Sequence, residues 1–141
     1  MALSFHPNPD AILICNYQTG FVEPEMVKTR LCVVVTPRLR RRERLCTVIP
    51  LSLTPPEHVC DYHREIEFER ELPKPWEGKK RWAKCDMFAT VSHGRLSPIG
   101  VGRGPSGTRK YIYPTVSLEQ LKEIRAGMLC ALTFQQLTQY L

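Results

Sequence analysis

The chain has 141 residues, which is enough for one hydrophobic core and too few for two ordinary domains, so residues 1–141 are read as a single domain. Hydrophobic residues at 43% and charged residues at 24% exclude a disordered polyelectrolyte. The formal net charge is +6, no apolar run approaches the roughly 18 residues that span a bilayer, and the start lacks a signal peptide's basic and apolar stretches. The expectation is a cytoplasmic protein with no membrane partner.

After Pro7 and Pro9, residues 11–17 form an apolar run of strand length. Residues 18–29 carry Gly20, Pro24 and mixed charge with no sustained period, so they predict a loop, longer than most connections and for that reason of functional interest. Residues 31–36 and 45–51 are β-branched and apolar, and the break between them predicts a hairpin. Pro55 and Pro56 end the second strand, because neither can donate to a ladder.

Residues 63–72 alternate, with Ile66, Phe68 and Leu72 on one face and Glu65, Glu67, Glu69 and Glu71 on the other. That pattern predicts an edge strand whose carboxylates discourage pairing with other chains. A loop at 73–80 and one continuous strand over 81–91 follow, then an exposed glycine-containing hairpin within 98–113. Gly102-x-Gly104-x-x-Gly107 fits a dinucleotide-binding spacing, yet no βαβ unit surrounds it, so no cofactor is expected there. The helix begins at Ser117, whose hydroxyl and Gln120 complete a capping box. Leu118, Leu121, Ile124, Met128, Leu129 and Leu132 then recur at helical spacing, interrupted by Gly127. The fold class is mainly β with a C-terminal helix.

The six cysteines contain no Cys-x-x-Cys pair, and Cys15, Cys32, Cys46 and Cys85 sit in apolar or alternating segments, as reduced core thiols do. His58-x-Cys60-x-x-His63 has zinc-compatible side chains but no fourth ligand at a recognisable spacing. No metal site is expected.

The positive charge is concentrated. From Lys28 to Cys46 there are seven basic residues and one acid. Such a surplus suits a partner bearing phosphates or clustered carboxylates, and a solvated loop fits it as well.

Topology leads from spacing to a candidate site. If 31–36 and 45–51 pair antiparallel, Arg30 and Ser52 become neighbours at one end. Lys84 and Asp86, two apart on one strand, share a face. A cation, a hydroxyl and a carboxylate are the groups needed for attack on a phosphodiester by its own 2′-hydroxyl, where a proton is removed, charge builds on phosphorus and a proton is returned. Arg38, Arg40, Arg41, Arg42 and Arg44 fall at the opposite end of the hairpin, about 20 Å away at ~3.3 Å per residue. Three readings stay open for them: guiding a long RNA, holding an acidic inhibitor, or meeting solvent.

Gly20-x-x-x-x-Glu25-x-x-x-x-Arg30, the Val-Val-Val strand, Thr47-Val-Ile-Pro-Leu-Ser52, and Lys84-Cys-Asp-Met-Phe-Ala-Thr90 ending in Arg95-Leu96 together resemble the MazF/PemK toxin family over residues 9–133. The resemblance implies an SH3-like antiparallel β-barrel of the CcdB/MazF/PemK type and a homodimer. It implies a toxin of a type II toxin-antitoxin system that cleaves single-stranded RNA (mRNA) without a metal or cofactor, leaves a 2′,3′-cyclic phosphate, and is bound by an acidic antitoxin. It carries over Arg30, Ser52 and Asp86 as catalytic, with Ser52 in place of a threonine, and Lys84, Glu25, Lys28 and Thr54 as substrate-binding. Leu31 stands where the family usually has proline, and Ala89 replaces an arginine, removing that arginine's RNA contacts. A non-catalytic RNA-binding module, or a CcdB-like gyrase inhibitor acting through residues 138–141, is the alternative reading.

Overall fold

The computed structural model describes residues 3–141. In chain order it contains β1 (Ile12–Asn16), β2 (Thr29–Val34), β3 (Leu45–Ser52), β4 (His63–Glu67) and β5 (Lys80–Lys84). After these come β6 (Ala89–Ser92), β7 (Leu96–Ser97), β8 (Ile99–Arg103), β9 (Arg109–Ile112) and the helix α1 (Leu118–Ala131). One antiparallel sheet runs β4-β5-β3-β2-β1-β7 with β6 also on β3, while β8 and β9 form a separate hairpin. The molecule is mainly β with a C-terminal helix, as its sequence predicts.

The β2 segment reads as an unbroken apolar run because both of its faces are covered. Leu31, Val33 and Val35 enter one core with Ile49, Leu51, Leu121 and Ile124, under α1. Cys32 and Val34 enter a second core with Leu13, Cys15, Cys46, Val48, Val91 and Leu96. The strands β6 and β7 lie far apart along the sheet but are joined by a 3-10 turn, His93–Arg95, so the sheet curls around this second core. The curl agrees with the expected fold class, while no ladder joins β6 to β7 to close a barrel among the described residues. Cys15, Cys32, Cys46 and Cys85 are buried free thiols.

The acidic segment behaves as its alternation predicts. Strand β4 is the sheet's outermost, Ile66, Phe68 and Leu72 are buried, and the four glutamates are exposed. Pairing in the regular ladder stops at Glu67, short of the expected Leu72.

The expected continuous strand over 81–91 is broken. Val48 pairs with Ala89 and Leu51 with Ala83, so the two residues of β3 between them face five on the other side. The three extra residues form a 3-10 turn, Cys85–Met87, with Cys85 buried beneath α1. Gly127 makes this possible: a Cβ there would lie 2.6 Å from the Cys85 Sγ. The glycine that costs the helix propensity is what lets the helix rest on the turn.

Helix α1 starts at the Ser117 cap with both arms of the capping box formed. Its apolar stripe is narrower than expected. Leu121 and Ile124 are buried, whereas Leu118, the first residue of the helix, is 70% exposed and Leu132, just past its end, 46%. Among the described residues no helix is long and apolar enough to cross a membrane.

Candidate functional site

The hairpin register places Arg30 as expected. Leu31 pairs with Leu51 on β3, so the next position outward sets Arg30 across from Ser52, and on its other side Arg30 pairs with Cys15 of β1. Arg30 is thus held in a central strand at the end of the second core. It is half-buried, its Nε is shielded from water with no hydrogen-bond partner, and no carboxylate among the described residues lies within ion-pair distance. A buried donor left without an acceptor costs about 1–3 kcal/mol, and for Arg30 that donor is the Nε. An anion is the complement it lacks.

On the second-core side of the sheet, the side that Arg30 shares with Cys32 and Val34 by strand alternation, lies a groove of about 380 Å³ whose walls include Tyr17, Phe21, Glu25, Met26, Asp86 and Ala89. One wall is the 18–28 loop, which Arg95 fixes from below. Its Nη1 donates to the carbonyls of Asn16 (3.0 Å) and Thr19 (2.7 Å), and its guanidinium lies 4.7 Å from the centre of the Phe21 ring. Gly20 adopts φ +83°, and a Cβ there would meet the Arg95 Nη2 at 2.9 Å. The glycine and the arginine that opened and closed the sequence motif are therefore one structural unit. Glu25 closes the loop's tip, its Oε2 accepting from the Val22 amide at 2.6 Å.

The opposite wall is the 3-10 turn. It carries Asp86 outward to solvent between buried Cys85 and half-buried Met87. Lys84, at the end of β5 opposite His63, is half-buried. Lys84 and Asp86 do not share one strand face, because the turn intervenes; this corrects the sequence expectation while leaving Asp86 and Glu25 on the same groove.

The sequence profile described as "PemK-like, MazF-like toxin of type II toxin-antitoxin system" matches residues 9–126. The chain belongs to this family. The Escherichia coli (strain K12) protein YifN is 30% identical to it over 122 positions, spanning 74% of this chain and 80% of that one. Two solved structures share the fold of this PemK/MazF-like chain. An endoribonuclease in complex with its cognate antitoxin from a mycobacterial species matches with TM-score 0.56 at 14% identity, covering 91% of this chain and 96% of that one. A mycobacterial endoribonuclease matches with TM-score 0.56 at 12% identity, covering 93% and 96%.

The other residues that the sequence singles out take the following places. Ser52 is only 2% exposed and its Oγ accepts from the Thr54 amide at 3.2 Å, which leaves the hydroxyl proton free to donate. Thr54 and Lys28 are exposed, Lys28 at the foot of the loop where β2 begins. The arginine run lies at the other end of the hairpin, with Arg38 paired to Glu43 at 2.9 Å. Of the histidine and cysteine cluster, His63 Nδ1 accepts from the Cys60 amide at 3.0 Å and His58 is exposed. Among the described residues no three His, Cys, Asp or Glu side chains gather to hold a metal. Reasoning from sequence missed the loop-fixing role of Arg95 and the aromatic lining from Tyr17 and Phe21, though Gly20 and Arg95 were both visible in the motif.

Proposed function

We propose that this chain is the toxin of a type II toxin-antitoxin system and acts as a metal-independent endoribonuclease on single-stranded RNA, working as a homodimer that an acidic antitoxin restrains. The observation that carries the reading is Arg30, a half-buried residue whose Nε is shielded and unpartnered, on the same sheet face as the groove lined by Glu25 and Asp86. Family membership and the fold shared with two endoribonucleases support it.

In this mechanism the RNA lies across the groove with the scissile phosphate at Arg30. Asp86 takes the proton of the 2′-hydroxyl, the 2′-oxygen bonds to phosphorus, and the bond to the 5′-oxygen breaks. The leaving oxygen regains a proton from Asp86, directly or through water, and the 3′ side ends in a 2′,3′-cyclic phosphate. The Arg30 fork holds the non-bridging oxygens as their charge grows, with the Ser52 hydroxyl as a further donor. The fixed cation supplies the charge stabilisation that a metal gives other nucleases. Lys84, Lys28, Thr54 and Glu25 bind and orient the strand.

Incubating the purified protein with a mixed RNA pool in EDTA and sequencing the new ends tests this. The expected result is a small set of cut sequences bearing cyclic phosphates, with no cleavage where the nucleotide at the cut carries 2′-deoxyribose. No new ends, or activity that vanishes in EDTA and returns with magnesium or zinc, contradicts the mechanism.

A further inference from the structure

At the far end of the β2–β3 hairpin from Arg30 there is a larger cleft, of about 570 Å³, that the cleavage reading leaves unused. Its walls include Phe5, His6, Arg38, Arg44, Ser92 and His93. Its volume falls in the range of small-ligand sites, about 300–1,000 Å³.

The walls are fixed. His6 Nδ1 lies 2.8 Å from the Pro7 carbonyl oxygen and Nε2 3.3 Å from that of Leu45, which ties the N-terminal segment to β3. The His6 and His93 rings meet edge to face at 5.0 Å, and the His93 amide donates to the Arg44 carbonyl at 3.0 Å. The chemistry is uneven in an informative way. Two arginines face one carboxylate, Glu43, and the Arg38–Glu43 pair is an exposed one that a stronger anion can displace, since such pairs contribute at most about 1 kcal/mol. His93 is 7% exposed, and its Nε2 is buried with no hydrogen-bond partner among the described residues. Burial, followed by the His6 ring and the Arg44 cation, pushes the His93 imidazole below its ordinary range. A bound anion offsets the surplus of arginine charge in the cleft. The Phe5 ring, 47% exposed, leaves an aromatic face beside the cationic one.

We propose that this cleft is a second, separate binding site for a nucleotide, with Arg38 and Arg44 taking the phosphate and Phe5 and His6 stacking on the base. Arginine forks match phosphate oxygens, and aromatic faces accept any base without sequence readout. The nucleotide is either free or one unit of a longer strand, and the two sources share this chemistry. The site does not depend on Arg30, and its test reads binding, not cleavage.

The experiment titrates the full chain with AMP, UMP, inorganic phosphate and a short 2′-deoxy oligonucleotide without terminal phosphates, following the imidazole resonances of all four histidines. Nucleotide binding is expected to shift His6 and His93 and to leave His58 and His63 unmoved. Arg38→Ala with Arg44→Ala should weaken binding at least tenfold, and Phe5→Ala severalfold, in proteins whose melting is unchanged. Arg30→Ala should leave the His6 and His93 responses to these ligands as they are in the parent. A response to AMP and UMP alone identifies a free nucleotide; a stronger response to the oligonucleotide identifies a strand. Silence of His6 and His93 with every probe overturns the proposal. So does a double arginine variant that binds normally, or inorganic phosphate that binds as tightly as the nucleotides.

Discussion

Two arginines stand at the same end of β3 and on opposite faces of the sheet, and their surroundings differ completely. Arg81, 2% exposed, donates to the carbonyls of Gly78 (2.6 Å), Trp76 (2.8 Å), Lys80 (3.0 Å) and Glu77 (3.3 Å), and its guanidinium sits 5.2 Å from the centre of the Phe68 ring. Arg30 is less buried yet has an Nε with no acceptor at all. The first cation is satisfied by the chain and fixes the 73–80 loop, while the second is held ready without a partner. Burial of a charge therefore says little about its purpose until its donors are counted. Arg95 belongs with Arg81, since its donors also meet carbonyls and hold a loop.

The comparison breaks if Arg81 proves dispensable for folding. Arg81→Ala leaves four carbonyls without that donor and empties a buried site, so unfolding should become easier by about 2–4 kcal/mol, while the folded fraction still cleaves RNA at the parent rate. Urea denaturation with activity measured on the folded fraction checks both halves. A smaller loss is expected at Gly127→Ala. The added methyl lies 2.6 Å from the Cys85 Sγ and 2.9 Å from its Cβ, so overpacking of about 1–3 kcal/mol outweighs the gain in helix propensity. Cys85→Ala in the same chain removes the nearest atom and should recover part of that loss in thermal melting.

The smallest effect concerns pH. The fold holds His93 with its pKa below the ordinary 6.5, so the unfolded chain binds the proton more readily. The stability contributed by the neutral ring is present above 6.5 and falls away as pH drops from there through the folded value. Melting curves at pH 7.5 and 5 should show a smaller acid-induced drop for His93→Gln than for the parent, and an equal drop would mean that other groups account for it.

Much of this was legible because it is local. Apolar run lengths and the prolines set β2 and β3, and the hairpin register followed, bringing Arg30 opposite Ser52. The alternation from Ile66 to Leu72 marked an edge, and Ser117 with Gln120 marked the helix start. The break after Lys84 was not legible, because the room it needs comes from Gly127, more than forty residues away in sequence and close to Cys85 only in the fold. The sequence singled out Arg30 but did not show that Arg81 would be buried and satisfied by the carbonyls of residues 76–80. What distinguishes them is which carbonyls reach them, and for Arg95 those lie 79 and 76 residues away.

The central claim is that the unpartnered Arg30 acts on the transition state, and single-turnover cleavage by Arg30→Ala and Arg30→Lys in EDTA tests it most directly. Both variants should melt near the parent and bind a 2′-deoxy analogue of the cut sequence within about tenfold of it, because the residue acts mainly as charge develops. Both should lose at least about a hundredfold in cleavage rate, lysine included, since it keeps the charge but not the planar fork. Near-parental cleavage by the alanine variant would contradict the account, and would make Arg30 a residue like Arg81.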